Sequence, residues 1–496
     1  MRNGARATPN AGQHKQLVQS GQTDSKNIVD AAYAGIRHDL ASTALALKPK
    51  SASVIAAPGA NITELSNGVR IASENQGGDI CTVGVWHDCG SRYERPHESG
   101  SCHFLKHLYV KGTEKFDGGL LGTELGKITY FVDSYSSKEQ SAVYLVCRSK
   151  DIDKAVQLLG EMVLQPKISS TNVESVRKAV LAYHNHTEDD PRAICLHYLH
   201  AQAYMKTALE MPASGRFTNC KELNDTTIAN FHKNNMQGHR YVIAATGDVD
   251  HEKLVMAGEK AFGGLGNNFV DELPFLTPSR YTGSYVFHRE DSWPLCYMIA
   301  AIEGPGWDNI DDFLCMKVAE KMFGSWMRSK QPYQTSPFRL PQRVGWFDHH
   351  PLHCYDSFYL PYFRTGLWGQ YFVSHSDATH EILKDIQTEW KYMATLANER
   401  DVNLGKNFLR NDVLSSLENG PTSCDELGRN VLRYNRHYSA HDILSMIDAV
   451  DEDLFRKICY EYIYDRCPVI IGFGRTGLVS FHGYWPARWR MAWWWM

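Results

Sequence analysis

The chain is 496 residues long, which is too long for one hydrophobic core, so two or more domains are expected. Hydrophobic residues make up 43% and charged residues 22%, and the net charge of −4 argues against a nucleic-acid-binding protein. No apolar run approaches the roughly 18 residues that cross a bilayer, so membrane association is expected only through partners. The twelve cysteines form no Cys-x-x-Cys pair, which favours reduced thiols in a non-secretory compartment.

Residues 1–55 are predicted to be a transit peptide followed by a short leading helix. Residues 1–23 contain no acidic side chain and three basic ones, as mitochondrial transit peptides do: Arg2, Arg6 and Lys15. A disordered tail is the alternative, because this segment has no clear amphipathic stripe. Residues 27–48 carry apolar side chains at helical spacing, which predicts a helix that docks on the folded body.

A first domain is predicted over residues 56–265. It begins with a hairpin of two strands, 62–65 and 69–73, around a turn that needs a positive φ angle at Gly68. The apolar periodicity predicts further strands over 81–86, 141–147 and 241–246, and helices over 151–163, 172–184 and 250–262.

A segment rich in glycine, asparagine and proline follows, and it predicts a linker over residues 266–283 and a second domain over 284–496. In the second domain the pattern predicts strands over 284–288, 295–302, 366–373 and 469–474, and helices over 313–327, 376–396 and 399–418. Strands and helices mix without a steady βαβ alternation, which indicates the α+β class. The two halves look like a distant tandem duplication.

The motif His-Phe-Leu-Lys-His occupies residues 103–107. Two histidines at i and i+4 lie on one face of a helix, a spacing that suits a metal ion. In the inverted zincin motif His-x-x-Glu-His, the glutamate takes a proton from zinc-bound water. Lys106 stands at the glutamate position, and an ammonium cannot accept that proton. Chance alone predicts about one i/i+4 pair among 22 histidines, so the pair by itself identifies no site.

Several ordered segments resemble the pitrilysin-type metallopeptidases of mitochondria, a family that contains presequence-processing peptidases and core subunits of respiratory complex III. The segments begin with Thr82-Val83-Gly84-Val85-Trp86 and Gly90-Ser91-Arg92-Tyr93-Glu94, and they continue through residues 103–107, 111–113, 198–201, 405–411 and 462–468. The resemblance runs from about residue 60 to about residue 474. It implies two homologous α/β-sandwich domains of mainly antiparallel sheet packed with helices.

The resemblance places His103 and His107 on the family's two histidine ligands and Lys106 on its general base. It places the third ligand, a glutamate, at Tyr183 and a supporting glutamate at Val176. The helix face that would carry these carboxylates is apolar. We therefore expect Tyr183 to fill the former metal cavity, with its hydroxyl bonded to a former ligand histidine. No metal or other cofactor is expected, and the alternative is a zinc site completed by His184 or His186.

The substrate groove also departs from the family pattern. Active relatives receive a peptide by strand addition at a sheet edge with small residues. The corresponding segment here is bulkier, and its groove remnants are Phe131, Asp133 and Tyr135.

Two functions remain open. The first is a catalytically inactive, core 1-type scaffold of complex III on the matrix side of the mitochondrial inner membrane. The resemblance implies a core 2 or alpha-type partner for it, together with cytochrome b and the Rieske protein. The second is a zinc endopeptidase that removes targeting presequences. The tail from Tyr484 to Met496 holds five of the twelve tryptophans, and it predicts either a partner surface or a terminus packed on its own domain.

Overall fold

The computed structural model describes residues 59–266, 279–345 and 352–477. The predicted transit peptide and leading helix, the middle of the predicted linker and the tryptophan-rich tail lie outside these residues. The predicted domain bounds therefore remain a prediction, although the strands fall into two separate sheets, one in each half of the chain.

Six strands of the first half form one sheet. Their bounds are β1 Asn61–Glu64, β2 Arg70–Asn75, β3 Ile80–His87, β4 Thr129–Ser136, β5 Ser141–Arg148 and β6 Tyr241–Gly247. They lie in the order β1-β2-β6-β3-β5-β4, with β2 parallel to β6 and all other neighbours antiparallel. The predicted hairpin is confirmed, because β1 pairs with β2 and Gly68 has a φ angle of +82°.

Eight α-helices belong to the described residues of the first half. They are α1 Ser101–Leu108, α2 Gly118–Gly126, α3 Ile152–Leu164, α4 Ser170–Glu188, α5 Pro191–Ala203, α6 Phe217–Glu222, α7 Asp225–Asn235 and α8 His251–Phe262. Helix α3 buries the predicted apolar stripe, including Val156, Leu159 and Val163, in the main core of this half. Helix α4 begins where the Ser169 side chain accepts a hydrogen bond from the Asn172 backbone N–H.

The second half repeats this plan with its own sheet and helices. Its strands are β7 Tyr285–Arg289, β8 Cys296–Gly304, β9 Ser325–Met327, β10 Leu352–Tyr362, β11 Thr365–Ser374 and β12 Val469–Gly474. Its helices are α9 Ile310–Phe323, α10 Arg339–Val344, α11 Thr379–Thr395, α12 Glu399–Glu418, α13 Gly420–Tyr434, α14 Ala440–Ala449 and α15 Glu452–Tyr462.

The predicted helix over 313–327 is wrong at its carboxyl end. The helix stops at Phe323 because Gly324 adopts a φ angle of +72°, and the next three residues form the short strand β9.

The two sheets share a common core of five strands. The second sheet has the order β7-β12-β8-β11-β10-β9, and β7 runs parallel to β12 as β2 runs parallel to β6. Strands β2 to β6 therefore correspond in order and direction to β7, β8, β10, β11 and β12. The prediction of two homologous α+β domains is confirmed. The sheets differ at one edge, because β9 pairs with β10 while the corresponding β4 forms the edge of the first sheet.

Each sheet is covered on one face by a helix from the other half. Helix α13 of the second half packs across the first sheet, where Leu427 and Val431 join a buried cluster with Trp86. Helix α5 of the first half packs on the second sheet, where Cys195 and Leu199 join a buried cluster with strand residues of that sheet. This exchange packs the two halves against each other.

Candidate functional site

The helix that carries the His-Phe-Leu-Lys-His motif is fixed at its amino end by a buried carboxylate. Glu94 accepts hydrogen bonds from the backbone N–H groups of Gly100 and Cys102, each at 2.8 Å. Those N–H groups have no partner within the helix, so the side chain does the work of a capping residue. Burial raises the pKa of Glu94 to about 8, even though both hydrogen bonds favour its charged form. Glu94, which lies outside the motif, therefore fixes the amino end of α1.

The two motif histidines lie together as their spacing predicts. Their ring centroids are 5.0 Å apart and their planes are nearly perpendicular, at 81°. His103 is only 4% exposed, and its Nδ1 lies 3.3 Å from the Ser136 hydroxyl oxygen on β4. The Nε2 atom of His103 is buried without a hydrogen-bond partner among the described residues. Buried polar atoms are usually hydrogen-bonded, so an unpaired imidazole nitrogen is consistent with a position that binds a metal in related proteins.

Lys106 lies on the same face of the helix, and its charge adds to the effect of burial on the pKa of both histidines. Burial lowers the pKa of Lys106, and the nearby Asp133 carboxylate on β4 partly opposes that effect. Burial, followed by the charge of Lys106, lowers the pKa of His103 to about 3 and that of His107 to about 4. Both imidazoles are therefore neutral at pH 7. Below pH 6.5 the unfolded chain binds more protons than the folded one, so these residues make stability fall as the pH falls from 6.5 towards 3.

Replacing Lys106→Gln is expected to raise the pKa of both motif histidines, because it removes a positive charge that acts on each of them. The measurement is an NMR titration of the two imidazoles. Lys111→Gln is the matched control, since the charge of Lys111 acts on His107 and not on His103. If the pKa values of both histidines shift equally in the Lys111→Gln variant, the effect of a lysine charge does not depend on which histidine it lies near.

Helix α4 presents an apolar face where the family carries its carboxylates. Val173, Val176 and Val180 are buried in the core. Tyr183 continues this face, and its ring centroid lies 5.5 Å from that of His103. However, 50% of Tyr183 is exposed, and its hydroxyl makes no hydrogen bond with a described residue. The predicted hydrogen bond from Tyr183 to a histidine is therefore wrong, although its ring lies beside that of His103.

The alternative third ligands are not positioned for a metal ion. His184 Nε2 lies 3.7 Å from the Cys220 sulfur, and its ring packs edge-on against Phe217. His186 is exposed. Within residues 59–266, 279–345 and 352–477, no three side chains of the His, Cys, Asp or Glu types come together as a metal site. Two neutral imidazoles beside a lysine and a tyrosine do not fit a catalytic zinc site, which has three protein ligands and a base.

The groove residues on β4 have separate contacts. Phe131 is partly exposed and packs near Tyr144, with ring centroids 6.2 Å apart. Asp133 accepts a hydrogen bond of 3.0 Å from the Tyr144 hydroxyl. Tyr135 lies on the same face of the strand as Asp133, and its hydroxyl donates to Asp425 of α13 at 2.7 Å.

Asp425 is a site residue that sequence reasoning missed. Its Oδ1 atom also accepts a hydrogen bond of 2.8 Å from the Trp86 indole N–H, and Arg429 lies 3.4 Å from its Oδ2 atom. This carboxylate joins the edge strand and the central strand of the first sheet to a helix of the second half. No local sequence pattern predicts this contact, because Tyr135 and Asp425 lie 290 residues apart in the sequence.

A second link between the halves starts next to the groove. Glu139 forms a buried ion pair with Arg92, and it accepts hydrogen bonds from the Phe363 backbone N–H at 2.8 Å and the Trp307 indole N–H at 2.9 Å. Two polar links, centred on Asp425 and Glu139, therefore hold the first sheet to the second half.

Comparison with known families and structures shows which proteins this chain is similar to. The family described as insulinase, peptidase family M16, matches residues 70–215, and the peptidase M16 inactive domain matches residues 222–409. The mitochondrial-processing peptidase subunit beta of Bos taurus is 33% identical over 422 residues, which cover 85% of each chain. Cytochrome b-c1 complex subunit 1 of Bos taurus is 33% identical over 420 residues, which cover 84% of this chain and 86% of the relative.

A solved structure shows the same fold. A chain in the structure of complex III2 from Candida albicans, Inz-5 bound, superposes with a TM-score of 0.75 at 21% identity. The match covers 87% of this chain and 100% of that chain. The chain belongs to the insulinase-type peptidase family M16, as the sequence segments predict.

Proposed function

We propose that this protein is a catalytically inactive, core 1-type scaffold subunit of mitochondrial complex III, ubiquinol-cytochrome c reductase. The observation that carries the proposal is the lysine at residue 106, which stands where a peptidase of this family has its general base. Similarity to named relatives does not favour either function, because the two kinds of Bos taurus relative are equally identical to this chain, at 33%. The site residues must decide.

The charges at the site oppose zinc chemistry at two points. A charged Lys106 would repel Zn²⁺ by roughly 7 kcal/mol at about 5 Å and an effective dielectric of about 20. A neutral Lys106 amine in the same place would compete with water for the metal instead of activating it. Tyr183 supplies no negative charge in place of the third ligand. The proposed scaffold subunit therefore has neither a hydrolytic base nor a metal ion whose charge is balanced by its ligands.

The proposed partner is a core 2 or alpha-type homologous subunit, with cytochrome b and the Rieske protein as further neighbours. The proposed place is the matrix side of the mitochondrial inner membrane, in a heterodimer of the kind that the resemblance implies. Support comes from the relative named cytochrome b-c1 complex subunit 1 and from the complex III2 structure. No helix among the described residues combines the length and apolarity of a membrane span, so attachment would come through these partners.

The second candidate is a beta-type processing peptidase that cuts targeting presequences with zinc. It is supported by the neutral imidazoles of His103 and His107 and by the relative named mitochondrial-processing peptidase subunit beta. For this function a base and a third ligand would have to come from residues other than Lys106 and Tyr183.

The two functions are separated by affinity purification of the tagged chain from mitochondria, with zinc measured in the eluate. We expect co-purifying cytochromes and no cleavage of a presequence peptide. A heterodimer that holds one zinc per chain and cuts the peptide would overturn the proposal. The beta subunit of a working processing peptidase, assayed with the same peptide, is the positive control, and His107→Ala of this chain is the negative control.

A further inference from the structure

A second pair of histidines lies on the sheet of the other half. His353 and His375 have their Nε2 atoms 3.2 Å apart and their ring centroids 4.8 Å apart, with the planes inclined at 61°. Two nitrogen ligands of a tetrahedral ion, each 2.0–2.1 Å from the metal, stand about 3.3 Å apart. The distance between the two nitrogens therefore already matches the bite of one metal ion.

The backbone gives this pair its geometry. His353 follows the first residue of β10, and His375 follows the last residue of β11. The two strands pair antiparallel, but the register shifts between Leu352 and Cys354, so His353 is the extra residue of a β-bulge. A bulge turns a side chain out of the regular alternation. Here it brings the His353 ring beside His375 at the open end of the ladder.

The surroundings of His353 favour its neutral form. Burial, followed by the charges of His375 and Arg328, lowers the pKa of His353. A histidine whose pKa is lowered is neutral at pH 7, and only the neutral imidazole binds a metal. Arg328 is the adverse feature of the site, since its cation also repels a metal ion. Arg328 acts on this pair as Lys106 acts on His103 and His107. Because His375 is exposed, water screens the charge of Arg328 more strongly.

We propose that His353 and His375 bind one divalent transition-metal ion of the Zn²⁺, Cu²⁺ or Ni²⁺ type through their Nε2 atoms. Imidazole favours these ions over Mg²⁺ and Ca²⁺, which require oxygen ligands. In the metal-free pair one Nε2–H donates to the other Nε2. On binding, that proton moves to Nδ1 of the same ring, and both Nε2 lone pairs face the metal. Two coordination positions then remain for water or for a donor from another molecule.

The test uses Cu²⁺–iminodiacetate, a chelate with open positions for two imidazoles, titrated into the purified full-length chain. Electron paramagnetic resonance is expected to show a bound copper with two imidazole nitrogens. His353→Gln and His375→Gln are each expected to weaken binding roughly tenfold or more, since one of two ligands is lost. Zn²⁺ added in large excess is expected to displace the copper chelate, since imidazole binds Cu²⁺ more tightly than Zn²⁺. His441→Gln changes another exposed histidine and is the matched control.

Two results would overturn the site. One is unchanged copper binding when both residues are replaced together, and the other is loss of the signal only in the variant His103→Ala with His107→Ala. The thermal unfolding midpoint of each variant confirms that a lost signal comes from the ligands and not from unfolding. The test does not depend on the proposed scaffold function, because no presequence or respiratory partner takes part in it.

Discussion

Gly428→Val is expected to destabilise the protein by about 3 kcal/mol or more, the largest stability effect of a single substitution proposed for this chain. A Cβ atom at Gly428 would lie 2.3 Å from the Trp86 ring, which is fully buried at the centre of the first sheet. Trp86 cannot retreat, because its indole N–H is bonded to Asp425 and its other face packs near Tyr144. The helix α13 would have to lift from the sheet and separate the two halves.

The measurement is chemical denaturation of the variant beside Gly122→Ala. Gly122 lies inside α2 with no atom within 4 Å of an added Cβ, so alanine there is expected to stabilise the helix by about 0.5–1 kcal/mol. Valine is also a slightly better helix former than glycine, so a loss of stability at residue 428 must come from the contact with Trp86. A Gly428→Val variant as stable as the parent would show that α13 does not pack on the first sheet in this way.

Lys106→Glu alone is expected to leave presequence cleavage undetectable, because the third ligand position is still Tyr183. Lys106→Glu combined with Tyr183→Glu is expected to raise zinc affinity about 100-fold or more, equivalent to about 2.7 kcal/mol. The double variant removes one positive charge and adds two carboxylates around neutral imidazoles. Tyr183 can accept this change without a buried charge because half of its surface is exposed. Val176 is left unchanged because it is only 1% exposed.

Zinc binding is measured by isothermal titration, and cleavage by mass spectrometry of a presequence peptide. Lys111→Glu is the control, since it makes the same change of charge as Lys106→Glu at an exposed residue beyond the motif. Cleavage by the Lys106→Glu single variant would contradict the assignment of Tyr183 to the missing ligand. Equal zinc affinities of the control and the double variant would show that overall charge, and not ligation, drives binding.

Much of the fold could be predicted from local patterns. The helix 399–418 was predicted with its observed bounds, and its start is marked by the Asn398 side chain, which caps it. Strand 469–474 was also correct, because a continuous apolar run bounded by turn residues is typical of a buried central strand. The helix over 313–327 was extended too far, since its apolar pattern continues through Gly324 and only the backbone angle at that glycine ends it.

The site was predictable only where its chemistry is local. The spacing of His103 and His107 predicted their contact, and the resemblance predicted which carboxylates are missing. The orientation of Tyr183 was not predictable, because periodicity gives the face of a helix but not how far its end projects into solvent. Asp425 and the pair of His353 with His375 depend on packing between distant segments and on a β-bulge, for which the sequence carries no signal.

The most direct measurement is the zinc content of the full-length chain with His353 and His375 both replaced by glutamine, after dialysis against a weak chelator. These replacements remove the second histidine pair, so any retained zinc must come from elsewhere in the chain. We expect far less than one zinc per chain. One zinc per chain that disappears on the further change His107→Ala would contradict the proposal that the inherited peptidase site has lost its metal.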